Sequence, residues 1–544
     1  MTIKPQQLSQ TQINSVISLY SNGQIQEALD SVVALIKDYP NEALLYNVGG
    51  ACYAGLGQLD EALKSYERAL DIKPDYAEAH NNLGVTLQGL SQLDDAVRSL
   101  EKSLDIKPDY AEAHNNLGNA FKELGQLDDA VKSYKQALDI KPDFADAHYN
   151  LASVLKELGQ LDDAVKSYEQ VLAIKPGYTE AFNNLGSVLE ELGQLDTAVK
   201  SYEKILTINP NFAEAHYNLG VTFEGLGQLD EALKSYEQAI DIKPDYAEAY
   251  YNLGGTLEEL GQLDEAVKSL GKALDIKPDY AEAHNNLGIT FQGLGQLDDA
   301  VKSLERALDI KPDYAGAFNN LGSVLKELGQ LDDAVKSLEK ALDIKPDYAE
   351  AHNNLGITFQ ELGQLDDAVK SLEKALAIKP DFAEAHNNLG IALNDLDQLD
   401  AAVKSYNQAL AIKPDFAEVF NNLGNAFKDL GQLDAAVECC EQALAIKPDF
   451  AEAYNTLGNS FNKLGQKDVA VKNYEKAIAI KPDYAEVHNN LGNTLKGLGQ
   501  LDDAVKSLEK ALDIKPDYAE AHYNLGRTLE GLGQLDKALA SYDR

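Results

Sequence analysis

Cysteine is nearly missing from this chain of 544 residues, with only Cys52, Cys439 and Cys440 present. Three cysteines placed this way make neither a disulfide framework nor a zinc-ligand spacing, so a fold stapled by either is excluded. They read as small buried apolar residues, and such low use fits a reducing compartment. Basic residues are also short, 48 against 88 acidic ones, for a net charge of −40. A surface this acidic repels phosphate backbones and anionic lipid, which sets aside nucleic acid and membranes as partners and leaves neutral or basic protein segments. No stretch approaches the roughly 18 apolar residues of a membrane-spanning helix. The N-terminus lacks a basic segment followed by an apolar run, so no signal peptide is expected. The expectation is a soluble, cytoplasmic protein.

Proline is scarce but regular. Apart from Pro5, the prolines recur every 34 residues, from Pro40, Pro74, Pro108 and Pro142 to Pro516. A fixed period of this length marks a tandem array of supersecondary units. With the proline numbered as position 32, fourteen full repeats fill residues 43–518. Residues 1–42 then form a degenerate N-terminal capping repeat, and 519–544 a partial C-terminal one.

Within a representative unit, 111–144, apolar and small residues recur in steps of three and four in each half, the signature of two amphipathic helices. Gly125, at position 15, suits a left-handed end to the first helix. Pro142 bars the second helix from continuing, because it lacks an amide hydrogen and disfavours helix in the residue before it. The run Asp109, Tyr110, Ala111, Glu112 predicts a capping box at the entry to the first helix. Asp128 and Asp129 suit the first turn of the second helix, and Lys141 its last. Position 20 is alanine from Ala28 to Ala538, and position 8 is glycine except at Val16 and Ala152. Small residues at both sites predict close approach of the two helices. Position 34, Tyr or Phe in every full repeat, predicts an aromatic wedge between neighbours.

These residues resemble the tetratricopeptide repeat family. In 111–144 the resemblance rests on Leu117, Gly118, Phe121, Ala130, Tyr134, Ala137 and Pro142, and it extends almost without gaps from Ala43 to Arg544. There are departures: position 4 is mostly histidine and never tryptophan, Gly49 replaces a leucine, and Ser91 and Asp397 replace the turn glycine. The resemblance implies an all-α, right-handed superhelical solenoid of 34-residue helix–turn–helix repeats. It also implies that the first helix, here helix A, lines a concave groove that binds an extended peptide or a helix. An array this long is similar to the repeat region of the O-linked N-acetylglucosamine transferases and to bacterial multi-repeat proteins with a catalytic domain after the repeats.

Catalytic constellations are not apparent. All nine histidines (His80, His114, His148, His216, His284, His352, His386, His488 and His522) stand at position 4, one per repeat, where the family places a packing aromatic. Phe182, Tyr250 and Phe318 fill the same slot. Ligands spread in this way cannot converge on a metal. Pairs such as Asp94 and Asp95 recur at helix starts, where the dipole favours anions. Gly55-Leu56-Gly57 follows no strand and recurs as the turn between helices. No metal, no cofactor and no intrinsic catalysis are expected.

Position 6 is the candidate peptide-binding site. It is asparagine at Asn82, Asn116, Asn150, Asn184, Asn218, Asn252, Asn286, Asn320, Asn354, Asn388, Asn422, Asn490 and Asn524, with Val48 and Thr456 interrupting. In the family this position faces the groove. A carboxamide there offers the donor and acceptor groups that match a peptide unit, or it supports packing between repeats. Positions 9 and 12 vary most, as in Val85, Asn119, Ser153, Ile289 and Arg527, and in Gln88, Lys122, Glu190 and Lys496. Position 2 is acidic from Glu78 onward except at Gly316, unlike family members that clamp acidic chaperone tails. The expected function is a protein-interaction scaffold that takes an extended, neutral or basic segment. The alternative is the substrate-recruiting arm of a larger enzyme, a glycosyltransferase or sulfotransferase, which the end of the chain inside a second helix would fit. Leu525, Leu529, Leu532 and Leu539 lack a following repeat, so end-to-end self-association is a further expectation.

Overall fold

A computed structural model describes residues 8–543; residues 1–7 of the expected cap, including part of the N-terminal stretch read for a signal, and Arg544 lie outside the described residues. The described residues form thirty-two helices and no strand. Apart from the first, of 12 residues, and the last, of 8, they alternate between a helix A of 13 residues, such as Ala111–Glu123, and a helix B of 14, such as Leu127–Ile140. The expected break is where the sequence puts it. Gly125 has φ 73°, and the amide of Gln126 donates to the carbonyl of Phe121 at 2.9 Å. That bond closes the A helix in the manner of a Schellman turn.

The predicted capping box is not formed, and the expectation is corrected here. Tyr110 occupies the N-cap of Ala111–Glu123, and no side chain bonds the first-turn amides. Glu112 instead meets Lys141 at 3.3 Å, across the repeat. The helix starts one residue later than the box requires, so Glu112 is its second residue rather than the third, which is the one that folds back on the cap, and the lysine at the end of helix B is within its reach. The same lysine lies over the position-34 ring, as Lys141 does over Phe144 at 4.6 Å.

The small residues do what their size implies. A Cβ on Gly118 would lie 2.5 Å from the ring of Tyr134, and Ala130 and Tyr134 are fully buried. The chain divides into two compact units, Met1–Gly261 and Gln262–Arg544. In the first, one continuous core runs through Tyr134, Tyr168, Tyr202 and Leu219, so no repeat closes a core of its own. In the second, neighbouring clusters centre on Leu304, on Leu372 with Tyr406, on Tyr474, and on Leu508 with Leu525. The last described helix, Leu535–Tyr542, exposes Leu535 and Leu539 at 67% and 63%. Among the described residues no helix is long and apolar enough to cross a membrane.

Candidate interaction face

Within each unit successive A helices lie side by side. Positions 5, 6, 9, 12 and 13 of each helix therefore assemble one face. The histidines do not build it. Each donates through Nε2–H to the carbonyl of the proline six residues earlier, as in His80 to Pro74 at 3.0 Å and His522 to Pro516 at 2.9 Å. Tyr46 makes the same contact with Pro40 through its hydroxyl, at 3.2 Å. The Nδ1 atoms of His114, His216 and His352 are buried without a partner. Burial holds His352 below its ordinary pKa, which suits a neutral ring there with its proton on Nε2. Among the described residues no group of three or more His, Cys, Asp or Glu side chains is placed to hold a metal. All three thiols are buried, and burial pushes Cys439 up to about 11 and Cys440 up to about 12.

The asparagines lie on the face and are tied into it. Apart from Asn286, the position-6 amides donate Nδ2 to position 5 of the preceding repeat: Asn82 to Asn47 at 3.1 Å, Asn116 to Asn81 at 2.9 Å, Asn150 to Asn115 at 3.1 Å and Asn218 to Asn183 at 2.9 Å. Where position 5 is tyrosine the hydroxyl accepts, at 2.9 Å for Asn184 on Tyr149 and 3.1 Å for Asn252 on Tyr217. In the second unit the ladder runs through Asn320 on Asn285, Asn354 on Asn319, Asn388 on Asn353 and Asn422 on Asn387, all between 2.9 and 3.0 Å. It continues with Asn490 on Asn455 at 3.1 Å and Asn524 on Asn489 at 2.9 Å. Thr456, where asparagine is interrupted, keeps the bond through its hydroxyl to Asn421 at 2.9 Å. Asn286 accepts from the amide of Asn285 at 3.2 Å. All of these asparagines are half-buried except Asn524, which is buried. One hydrogen of each donor amide is thus used inside the scaffold. The side-chain oxygens Oδ1 of Asn354 and Asn388 accept no such bond among the described residues.

Sequence reasoning missed the role of position 5 and the bridges made by position 12. Lys122 reaches Ser153 at 2.9 Å and Glu157 at 3.2 Å in the next repeat. Lys156 repeats this with Ser187 at 2.8 Å and Glu191 at 3.0 Å, and Gln292 with Ser323 at 3.2 Å. The signal was available for Lys122, Lys156 and Gln292, each of which is followed by Ser at 9 and Glu at 13 one repeat later. Where position 12 is glutamate, the next repeat supplies a threonine. Thr222 donates to Glu190 and Thr256 to Glu224, while Tyr236 donates to Glu224 at 2.8 Å. Burial raises the Glu190 carboxyl above its ordinary pKa, against the bond from Thr222 that lowers it.

Two sequence profiles match the chain. One, described as TPR repeat, covers residues 49–91, 90–125, 118–159, 152–193, 187–227, 225–261, 392–431, 424–465, 458–499 and 492–533. The other, described as Tetratricopeptide repeat, covers 245–313 and 313–381. No curated protein matches. Among solved structures the chain is similar to one in the APC/C hetero-tetramer Cut9-Hcn1, at 17% identity and TM-score 0.42 over 86% of this chain and 98% of that one. It is also similar to YrrB, described as a TPR protein with an unusual peptide-binding site, at 26% identity and TM-score 0.32 over 34% of this chain and 96% of that one. A third similarity is to MamA, at 28% identity and TM-score 0.30 over 31% of this chain and 93% of that one. Repeats of this kind generally act as non-catalytic protein-interaction scaffolds. With ten and two matched segments reaching from residue 49 to residue 533 and the paired helices that they predict, the chain belongs to the tetratricopeptide repeat family.

Proposed function

We propose that this scaffold takes an extended segment of a partner protein along its helix-A face, with the position-6 asparagines meeting the partner's backbone. The observation that carries the reading is the amide ladder. All of these amides but Asn286 are held in register by the repeat before, and the side chains of Asn354 and Asn388 keep an acceptor oxygen for a peptide N–H. A pre-oriented acceptor loses little freedom when it binds, which is what makes a modest hydrogen bond useful. Around this fixed line positions 9 and 12 change from repeat to repeat, so side-chain preference can differ locally over a common backbone contact. In the first unit Glu190, Glu191 and Glu224 lie on the same face, which favours a neutral or basic segment there.

The test uses a partner captured from lysate on the full chain and identified by mass spectrometry. Asn286, Asn320, Asn354 and Asn388 are replaced together by alanine. Each lost backbone bond is worth about 0.5–1.5 kcal/mol, so affinity among folded molecules should fall by upward of tenfold. Stability should fall as well, because Asn320, Asn354 and Asn388 also bond the preceding repeat. A lower melting temperature with unchanged affinity would show that these residues are framework alone.

A further inference from the structure

Position 12 is where the helix-A face carries most of its cations, and most of these are neutralised by the next repeat. Lys122 has Glu157 at 3.2 Å, Lys156 has Glu191 at 3.0 Å, and Lys326 has Glu361 at 3.9 Å. The pattern fails toward the end of the second unit. Lys428 and Lys463 share a single carboxylate, Asp429, at 3.6 and 3.9 Å. Lys467 stands where the other full repeats carry leucine, and its Nζ donates to the carbonyl of Gly497 at 3.0 Å. Lys496 occupies position 12, but the residue 31 later is Arg527 and the residue 35 later is Gly531. Where Lys122 finds a serine and a carboxylate, Lys496 meets a second cation and no side chain.

No carboxylate repairs this. Glu486 precedes Lys496 by ten residues and Glu520 precedes Arg527 by seven, thus about 15 Å and about 10 Å along the axis. Glu486 accepts from Asn455 at 3.2 Å. Glu530, one turn beyond Arg527, forms no ion pair with Lys496 or Arg527 among the described residues. The guanidinium of Arg527 lies 5.8 Å over the ring of Tyr523. Burial, and then the charge of Arg527, hold the Lys496 ammonium below its ordinary pKa. A helix C-terminus favours a cation through its dipole. That holds for every A helix here, yet Lys122 and Lys156 still recruit a carboxylate.

We propose that the C-terminal ends of helices Ala451–Lys463, Ala485–Gly497 and Ala519–Gly531 form a recognition patch for an acidic peptide segment, whose carboxylates take the place of the counterions missing around Lys496 and Arg527. Lysine and arginine give carboxylates short charge-assisted bonds. Adjacent A helices pack side by side, about 8–10 Å apart. An extended peptide advances about 3.3 Å per residue, so a carboxylate at every third residue matches the spacing. The net charge of −40 opposes any polyanion. At physiological salt it is screened beyond about 8 Å, so the local cations govern a short segment, whereas a long nucleic acid meets the whole acidic surface. The assignment rests on the helix-A face being the binding face, and it reverses locally the preference for a neutral or basic partner.

The experiment is fluorescence anisotropy of a labelled hexaglutamate peptide against the full chain at physiological salt. Wild type should bind, and the double variant Lys496→Gln, Arg527→Gln should lose at least tenfold in affinity. Gly531→Glu supplies the carboxylate that Lys496 lacks and should weaken binding comparably. It is independent of cation removal, and circular dichroism confirms that each variant is folded. Lys302→Gln, on an exposed helix-B face where Lys302 pairs with Asp299 at 2.9 Å, should change nothing. Absence of binding to wild type, or binding by either patch variant as tight as that of wild type, overturns the assignment. Tighter binding of a single-stranded oligonucleotide of equal charge also overturns it. The broader reading fails separately, on the four asparagines 286–388, which lie outside the patch.

Discussion

Two residues hold a backbone conformation that their side chains disfavour. Ser91 and Asp397 have φ of 58° and 60° at the turn where other repeats place glycine. Left-handed backbone costs a residue with a Cβ roughly 1–2 kcal/mol, less for aspartate, which visits that region more readily. Glycine removes that strain but gives the unfolded chain about 0.4–1 kcal/mol more entropy. The strain is the larger of the two at Ser91, so Ser91→Gly should stabilise the chain by about 0.5–1 kcal/mol in denaturant unfolding, and Asp397→Gly by less. A loss of stability at Ser91 would mean that the hydroxyl is doing something the turn geometry does not show. Both departures were visible in the sequence. The histidine contacts were legible only in part. Their spacing excluded a metal, but the proline carbonyl six residues back is brought to Nε2 by the turn, and no periodicity announces it.

Helix pairing depends on which glycines face a neighbour. Gly288 lies in Ala281–Gly293, and a Cβ there would stand 2.6 Å from Cγ of Leu304 and 3.3 Å from the carbonyl of Ala300. Gly271 lies in Leu263–Ile276 and has nothing within 4 Å of an added Cβ. The same substitution should therefore have opposite signs. Gly288→Ala forces the A and B helices apart and should cost about 1–3 kcal/mol. Gly271→Ala restores helix propensity and should gain about 0.5–1 kcal/mol. Chemical unfolding of the two single variants checks this, and equal effects would remove close approach as the reason for glycine at position 8. The periodic pattern predicted the helices and this contact. It failed at the capping box, because Asp109 and Glu112 have the right spacing for a cap, while Lys141, 29 residues on, is the partner that the folded repeat brings to Glu112. The asparagine ladder was half legible: the column at position 6 was plain, but its bond to position 5 crosses 35 residues and appears only when each repeat is read against the one before it.

At the scale of the molecule the framework repeats so closely that the division after Gly261 leaves no mark in the sequence. The Gly-Gln pair there recurs in turn after turn. Charge is the property that belongs to the chain as a whole. Two electrostatic effects compete when salt is added. Screening weakens the ion pairs, which lowers stability, and it weakens repulsion among the excess carboxylates, which raises it. The pairs are mostly exposed, as with Lys132 and Asp129 at 2.8 Å, whose side chains are 72% and 49% accessible. Pairs of that kind contribute about 0–1 kcal/mol each, and many contribute nothing measurable. The repulsion is spread over 88 acidic residues with only 48 basic ones to offset them. Local pairs at helix ends such as Lys141 with Glu112 recover only part of it. Repulsion should therefore dominate, and the melting temperature should rise as sodium chloride is raised from about 20 mM, where the Debye length exceeds 20 Å, to about 0.5 M, where it is below 5 Å. Sodium chloride rather than sulfate is the appropriate salt, because sulfate would also strengthen apolar burial through its exclusion from the surface. A melting temperature that falls over this range would mean that the inter-repeat pairs act as a network stronger than their exposure implies. Repeating the titration on the Lys122→Gln, Lys156→Gln variant would then locate it.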